Sequence, residues 1–169
     1  KAWTRGADTI LLDLEDSVTL SQKNTARAMV KDDMPVVARG GAEVMVRINK
    51  PFEMAVADLD ACVWPGLAGI RFPKAESEQE IRALDLLIAE RELARDIPLG
   101  TIQVHASIET ALGLHNVQAI AAASPRLVSI SFGAEDYARD MEIEPSSDGR
   151  ELFLGKMQIL LAARLAGIQ

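Results

Sequence analysis

The sequence predicts an α/β protein built on a parallel sheet with crossover helices. Three observations lead there. Short apolar runs alternate with longer stretches of helical periodicity. The links between them are only a few residues long, which suits βαβ units. The strands are apolar nearly throughout, as strands covered on both faces should be.

Taken in order, "KAWTRGAD" reads as the tail of a helix, and Arg5-Gly6-Ala7-Asp8 as a turn into the first strand, Thr9–Leu14. Leu20–Lys31 has helical spacing, with Ser21 placed as its N-cap. Glu43–Ile48 (EVMVRI) is the second strand. Met54–Val63 is a short helix that stops at Pro65-Gly66. Gly69–Phe72 is the third strand, closed by Pro73. Ser77–Leu93 is a long helix, opened by a capping box of Ser77 and Glu80. Thr101–Ile108 is the fourth strand, Thr110–Ala123 a helix of small and apolar residues, and Arg126–Ser131 the fifth strand. Ala134–Met141 is a brief helical turn, and Gly149–Ala166 a last helix stopped by Gly167. No linker, repeat or low-complexity segment divides the chain, so residues 1–169 are expected to form one domain.

Composition narrows the function. Of the 169 residues, 49% are hydrophobic and 25% charged, enough apolar material for a core. The net charge of −7 argues against nucleic acid and anionic membranes as partners. No apolar run approaches the length of a membrane span. The lone cysteine, Cys62, excludes an internal disulfide and suits a reducing, cytoplasmic setting.

The placement of polar residues points to a site. Asp13, Glu15 and Asp16 follow the first strand, and Arg47 and Asn49 the second. Lys74 and Glu76 follow the third, Glu109 the fourth, and Glu135 and Asp136 the fifth. In a parallel α/β protein the C-terminal strand ends form the ligand-binding face. Carboxylates from neighbouring strands, with water completing the shell, suit Mg2+ or Mn2+. Zinc lacks ligands, because His105 and His115 stand alone and His105 reads as a core residue. No G-x-S-x-G, Walker or G-x-G-x-x-G sequence occurs. Lys74 reads first as a partner for nearby acids, with a Schiff base to a carbonyl substrate as the alternative. Trp3 and Trp64 read as packing residues.

The motifs "GADTILLDLEDSV", "VMVRIN", "GIRFPKAES", "SIETALGL" and "LVSISFGAEDYARDM", in this order, resemble the HpcH/HpaI aldolase and citrate lyase beta-subunit family. The resemblance covers nearly the whole chain and is closest to the citrate-lyase-beta-like branch. It implies a (β/α)8 TIM barrel. The barrel is incomplete here: about five βα units are readable, with one strand expected before them and two after.

The resemblance also implies a divalent metal, usually Mg2+, held by Glu109 and Asp136. Arg47 would contact the oxygens of an oxo-acid substrate. Glu15 and Asp16 would hold metal-bound water, with Lys74 beside them. Backbone amides around Gly133, Ala134 and Glu135 would receive the substrate carboxylate, and Gly133 would let the backbone pass close to it.

The implied activity is carbon–carbon cleavage of a 3-hydroxy-acyl thioester, citryl- or malyl-like, to a 2-oxo acid and an acyl thioester. The acyl carrier would be coenzyme A or an acyl carrier protein, and the assembly a homotrimer or hexamer. Alternatives are a pyruvate-type metal-dependent aldolase of the same fold, a Schiff-base aldolase through Lys74, a Mg2+-binding receiver-like signalling domain, or a thioester-binding module without activity. The receiver reading fits poorly, since it needs a phosphoacceptor aspartate where the middle strand carries Lys74.

Overall fold

The computed structural model describes residues 2–144 and 146–169. Among the described residues five strands occur, β1 (Thr9–Asp13), β2 (Glu43–Arg47), β3 (Leu67–Phe72), β4 (Gln103–Ile108) and β5 (Leu127–Phe132), in the sheet order β1-β2-β3-β4-β5. That order has no switch point. It is the order of consecutive βα units in a (β/α)8 barrel, here an open run of five, as the sequence implied. The chain divides into two compact units. One comprises the residues up to Arg71 with Leu86–Gln103, and the other Phe72–Asp85 with Val104–Gln169.

In the first unit β1 and β2 pair in parallel from Thr9↔Glu43 to Asp13↔Arg47. β2 pairs with β3 in parallel as far as Arg47↔Arg71. Helices α1 (Lys23–Val37) and α2 (Phe52–Cys62) pack on one another. The core is Val44, Val46, Ile48, Ala55, Leu59, Cys62 and Ile70, nearly all wholly excluded from solvent. Lys31 and Arg95 both lie over the half-buried ring of Trp64, 3.6 and 3.9 Å from its centroid, so this tryptophan packs through cation–π contact.

Two expectations change here. The helix begins at Lys23, after a 3-10 turn at Leu20–Gln22, and neither has a side-chain cap; the Ser21 hydroxyl lies 3.4 Å from Thr19 Oγ1. It also runs past Lys31 to Val37 with Pro35 inside. Val30 and Met34, one turn apart and both buried, carry it there, while Pro35 sits on the exposed side of the last turn. At the start of the described residues Ala2–Thr4 forms a 3-10 turn.

α3 (Glu78–Ala94) begins in the second unit with the expected capping box. Ser77 Oγ accepts from the Glu80 amide at 3.3 Å, and Glu80 Oε2 accepts from the amides of Glu76 (2.7 Å) and Ser77 (3.1 Å). β4 and β5 pair in parallel, His105↔Ser129 through Ile108↔Phe132. Thr110–Ala123 is two short helices rather than one, α4 (Ala111–His115) and α5 (Val117–Ala121). The break is Asn116, whose side-chain amide donates to the carbonyl of Glu76 at 2.8 Å. Thr110 caps α4 by accepting from the Gly113 amide. α6 (Ala134–Asp140) follows β5. α7 (Phe153–Ala166) packs on α5 and β5 and ends at Gly167, in the left-handed conformation expected of a helix stop.

Candidate active site

Each unit gathers its own set of polar strand-end residues. In the first, parallel register sets Asp13 and Arg47 directly side by side at the ends of β1 and β2. The contact is bidentate: Arg47 Nε donates to Asp13 Oδ1 at 2.8 Å and Nη2 to Oδ2 at 2.6 Å. Arg47 Nη1 lies 2.8 Å from Glu15 Oε2 and 3.7 Å from Asp16 Oδ2. Burial pushes the Asp13 carboxyl up, but hydrogen bonds from Arg47, the Ser17 side chain and the Glu15 amide, with the Arg47 charge, outweigh it and hold Asp13 well below the usual carboxylate range. The Asp13 hydrogen bond in turn raises Arg47.

The loop that carries these acids is fixed from beneath. Lys23 is buried and donates to the carbonyls of Leu14 (2.6 Å) and Glu15 (2.7 Å). Asn49 donates to Leu14 O at 3.0 Å and to Asp58 Oδ2 at 2.7 Å. Asp58, fully buried, also accepts from the Asn49 amide and from Arg27 Nε. Sequence reasoning gave the acid roles to Glu15 and Asp16. The structure places both beside Arg47, with Asp13 as the dominant partner and Asp16 largely exposed. The available signal was position: Asp13 closes β1 just as Arg47 closes β2.

In the second unit three rungs climb β4 and β5 on one face. His105 Nδ1 meets Ser129 Oγ at 2.7 Å and Ser107 Oγ meets Ser131 Oγ at 3.1 Å. The next positions on the same faces are Glu109 and Gly133. Gly133 has no side chain, and a β-carbon there would lie 2.4 Å from Glu109 Cγ. The Glu109 side chain therefore lies over the backbone at Gly133, buried at 8% exposure. In the structure the cleared space is occupied by the Glu109 side chain.

Asp136, in the first turn of α6, comes to the same place. Burial pushes its carboxyl up, while the Lys74 ammonium and the Arg139 guanidinium pull it down, and the net direction is below the ordinary carboxylate value. Lys74 Nζ lies 3.6 Å from Glu109 Oε2 and 3.4 Å from Asp136 Oδ2. Asp136 also pairs with Arg139, three residues on. Ala134 and Glu135 open α6 beside them, with Glu135 exposed. Lys74 holds φ at +48°, the left-handed region that non-glycine residues rarely adopt. Its neighbour Ala75 is fully buried and donates its amide to Ser107 O at 3.0 Å.

The donor set fits a hard divalent ion. Two carboxylates converge, the glycine opposite is cut away for one of them, and a cationic side chain already sits against both. Among the described residues no group of three or more His, Cys, Asp or Glu side chains is arranged to hold a metal. An ion there would rely on two carboxylates plus water or substrate oxygens, which is how Mg2+ is commonly bound. Among the described residues no helix is long and apolar enough to cross a membrane.

Comparison with known proteins agrees with the motif reading. The chain is 42% identical over 166 residues to the citrate lyase subunit beta of Leuconostoc mesenteroides subsp. cremoris, covering 96% of this chain and 54% of that one. It is 37% identical over 149 residues to an L-malyl-CoA/beta-methylmalyl-CoA lyase of Cereibacter sphaeroides, covering 85% and 46%. The chain thus spans about half the length of the curated relatives it matches.

Among solved structures, RipC from Yersinia pestis superposes with a TM-score of 0.77 at 29% identity, over 98% of this chain and 69% of that one. The citrate lyase beta subunit of Mycobacterium tuberculosis, complexed with oxaloacetate and magnesium, gives 0.73 at 32% identity, over 96% and 66%. A profile of the HpcH/HpaI aldolase/citrate lyase family matches residues 1–169, and the chain belongs to that family.

Proposed function

We propose that the protein is a Mg2+-dependent carbon–carbon lyase, cleaving a 3-hydroxy-acyl thioester of the citryl or malyl type to a 2-oxo acid and an acyl thioester. One observation carries the reading: Glu109 and Asp136 converge over Gly133 with Lys74 against both. Relatives named as citrate lyase beta subunits and malyl-CoA lyases support the reaction class. The complex of a similar structure with oxaloacetate and magnesium supports the substrate and the cofactor.

In this reading Glu109 and Asp136 are the metal ligands, and bound Mg2+, or Mn2+ in its place, supplies a Lewis acid for the oxygens of the 2-oxo acid. Arg47 binds the oxo-acid oxygen on which charge changes during cleavage. Asp13 holds the Arg47 guanidinium in orientation, and Glu15 and Asp16 bind ordered water. The first-turn amides of α6 around Ala134 and Glu135 receive the substrate carboxylate. Cleavage breaks the bond between the carbinol carbon and the thioester α-carbon. The hydroxyl loses its proton, the bond electrons pass to the thioester as an enolate, and a proton is then returned to carbon. By the same resemblance the 169 residues form part of one barrel domain in a homotrimer or hexamer, and the lone Cys62 suits a cytoplasmic setting.

The test is turnover of malyl-CoA and citryl-CoA against a 4-hydroxy-2-oxo acid, with the full-length protein. Thioester cleavage that stops with EDTA and returns with Mg2+ is expected, together with a loss of about a hundredfold or more in Glu109→Gln and Asp136→Asn. Cleavage of the hydroxy-oxo acid alone would reassign the protein as a pyruvate-type aldolase. Activity that survives EDTA, with borohydride trapping at Lys74, would replace the metal mechanism by a Schiff base. Unchanged turnover in both carboxylate variants would refute the ligand assignment.

A further inference from the structure

We propose that Lys74 is a built-in counter-ion, holding the Glu109–Asp136 pair together when no divalent ion is bound and competing with that ion for the pair. The inference rests on the reading of Glu109 and Asp136 as metal ligands, and goes beyond it by assigning the lysine a control over metal affinity.

Two carboxylates brought together and largely withdrawn from water repel one another. The Lys74 ammonium offsets that repulsion as an ion pair from 3.6 and 3.4 Å, beyond ordinary hydrogen-bond length. It acts as a point charge on a flexible stem, able to withdraw without breaking a rigid fork of hydrogen bonds. Arg139 is a poor substitute, since its side chain is 77% exposed. Mg2+ takes carboxylate oxygens at about 2.0–2.1 Å, so an ion shared by these carboxylates would meet the ammonium at close range. Like charges then oppose one another, and metal entry requires Lys74 to move aside.

The backbone shows that the position is held against local cost. Lys74 sits at φ +48°, and the next residue is anchored on Ser107 O. Ser107 lies two residues before Glu109 on β4, so the lysine is fixed beside the strand that carries the first carboxylate.

The experiment is calorimetric titration of Mg2+ into the metal-free full-length protein, with thermal unfolding of the metal-free and Mg2+-saturated forms. It compares the parent with Lys74→Met and Lys74→Gly. The glycine variant relieves the left-handed backbone while removing the charge, so it guards against a methionine variant that fails to fold. Mg2+ is expected to bind both variants about tenfold more tightly than the parent. The metal-free Tm of Lys74→Met should fall, and saturating Mg2+ should restore most of it. Equal or weaker Mg2+ binding in both variants would overturn the counter-ion role. Undiminished Mg2+ binding in Glu109→Gln and Asp136→Asn would instead overturn the ligand reading beneath it. The two failures are therefore distinguishable without measuring catalysis.

Discussion

Gly133 leaves the space that the Glu109 side chain fills: a β-carbon at residue 133 would stand 2.4 Å from Glu109 Cγ and 2.9 Å from Cδ. The glycine's φ is −86°, so its value lies in the missing side chain and not in a left-handed backbone. Gly133→Ala should push Glu109 off its position. Overpacking of this kind costs about 1–3 kcal/mol of stability. If Glu109 is a metal ligand as proposed, Mg2+ affinity should fall by about tenfold or more, because a carboxylate displaced by an ångström no longer shares an ion. Magnesium titration of the folded variant checks this, and parental affinity would contradict it.

The same two strands show what was legible in the sequence. Strands covered on both faces read as apolar runs, so β4 and β5 and the acids at their ends could be placed from residue order alone. That Glu109 faces Gly133 depends on the register His105↔Ser129, which pairing sets and spacing does not reveal. Asp13 escaped as the main partner of Arg47 for the same reason: adjacency across β1 and β2 is a tertiary fact. The break at Asn116 was hidden because its cause, Glu76 O, lies 40 residues away in sequence. Helix α1 outran its expected end because burial of Met34 outweighs the local penalty at Pro35. Capping at Ser77 was legible because both partners lie within four residues.

Asp13→Asn should weaken the protein in a pH-dependent way. Burial raises the native carboxyl, but hydrogen bonds from Arg47, Ser17 and Glu15, with the Arg47 charge, together hold it below its usual value. Its contribution is therefore full above the unfolded value of about 3.9 and is lost as pH falls below that. At neutral pH the loss of charge-assisted hydrogen bonds should cost about 1.5–3 kcal/mol. Urea unfolding of parent and variant should show a constant gap at neutral pH that narrows below about pH 4. A gap that widens on acidification would reverse the assignment.

Cys62 should be inert in the folded protein. It is fully buried at the end of α2, and burial, aided by the Asp58 charge, pushes its thiol far above the ordinary value. The thiolate is the reactive species, so neither exposure nor ionisation favours attack. Iodoacetamide at pH 8 should leave the native protein unmodified and label it once denaturant is added. Rapid native labelling would show that this part of the core opens readily.

Lys23 should matter to both stability and turnover, although it carries no chemistry. Its ammonium donates to the carbonyls of Leu14 and Glu15, on the loop that presents acids to Arg47. Lys23→Met keeps the length of the side chain but leaves Glu15 O short of this donor. Leu14 O retains only the Asn49 amide of these two side-chain donors. A buried carbonyl that loses a charged donor costs about 1–3 kcal/mol. The loop should then loosen around Glu15, and the Arg47 guanidinium with it; with Arg47 binding the oxo acid as proposed, KM for the oxo acid in the synthetic direction should rise more than kcat falls. Asp58→Asn should be more severe in stability. It removes the charge that Arg27 is paired with in the interior, and breaking such a pair typically costs about 3–5 kcal/mol. Thermal unfolding of the two variants, with kinetics on whichever folds, separates the effects. Asp58→Asn should lower Tm most, while Lys23→Met should show a modest Tm loss with a clear rise in KM. A Lys23→Met protein with parental KM would mean that the acid loop keeps its shape without the ammonium beneath it.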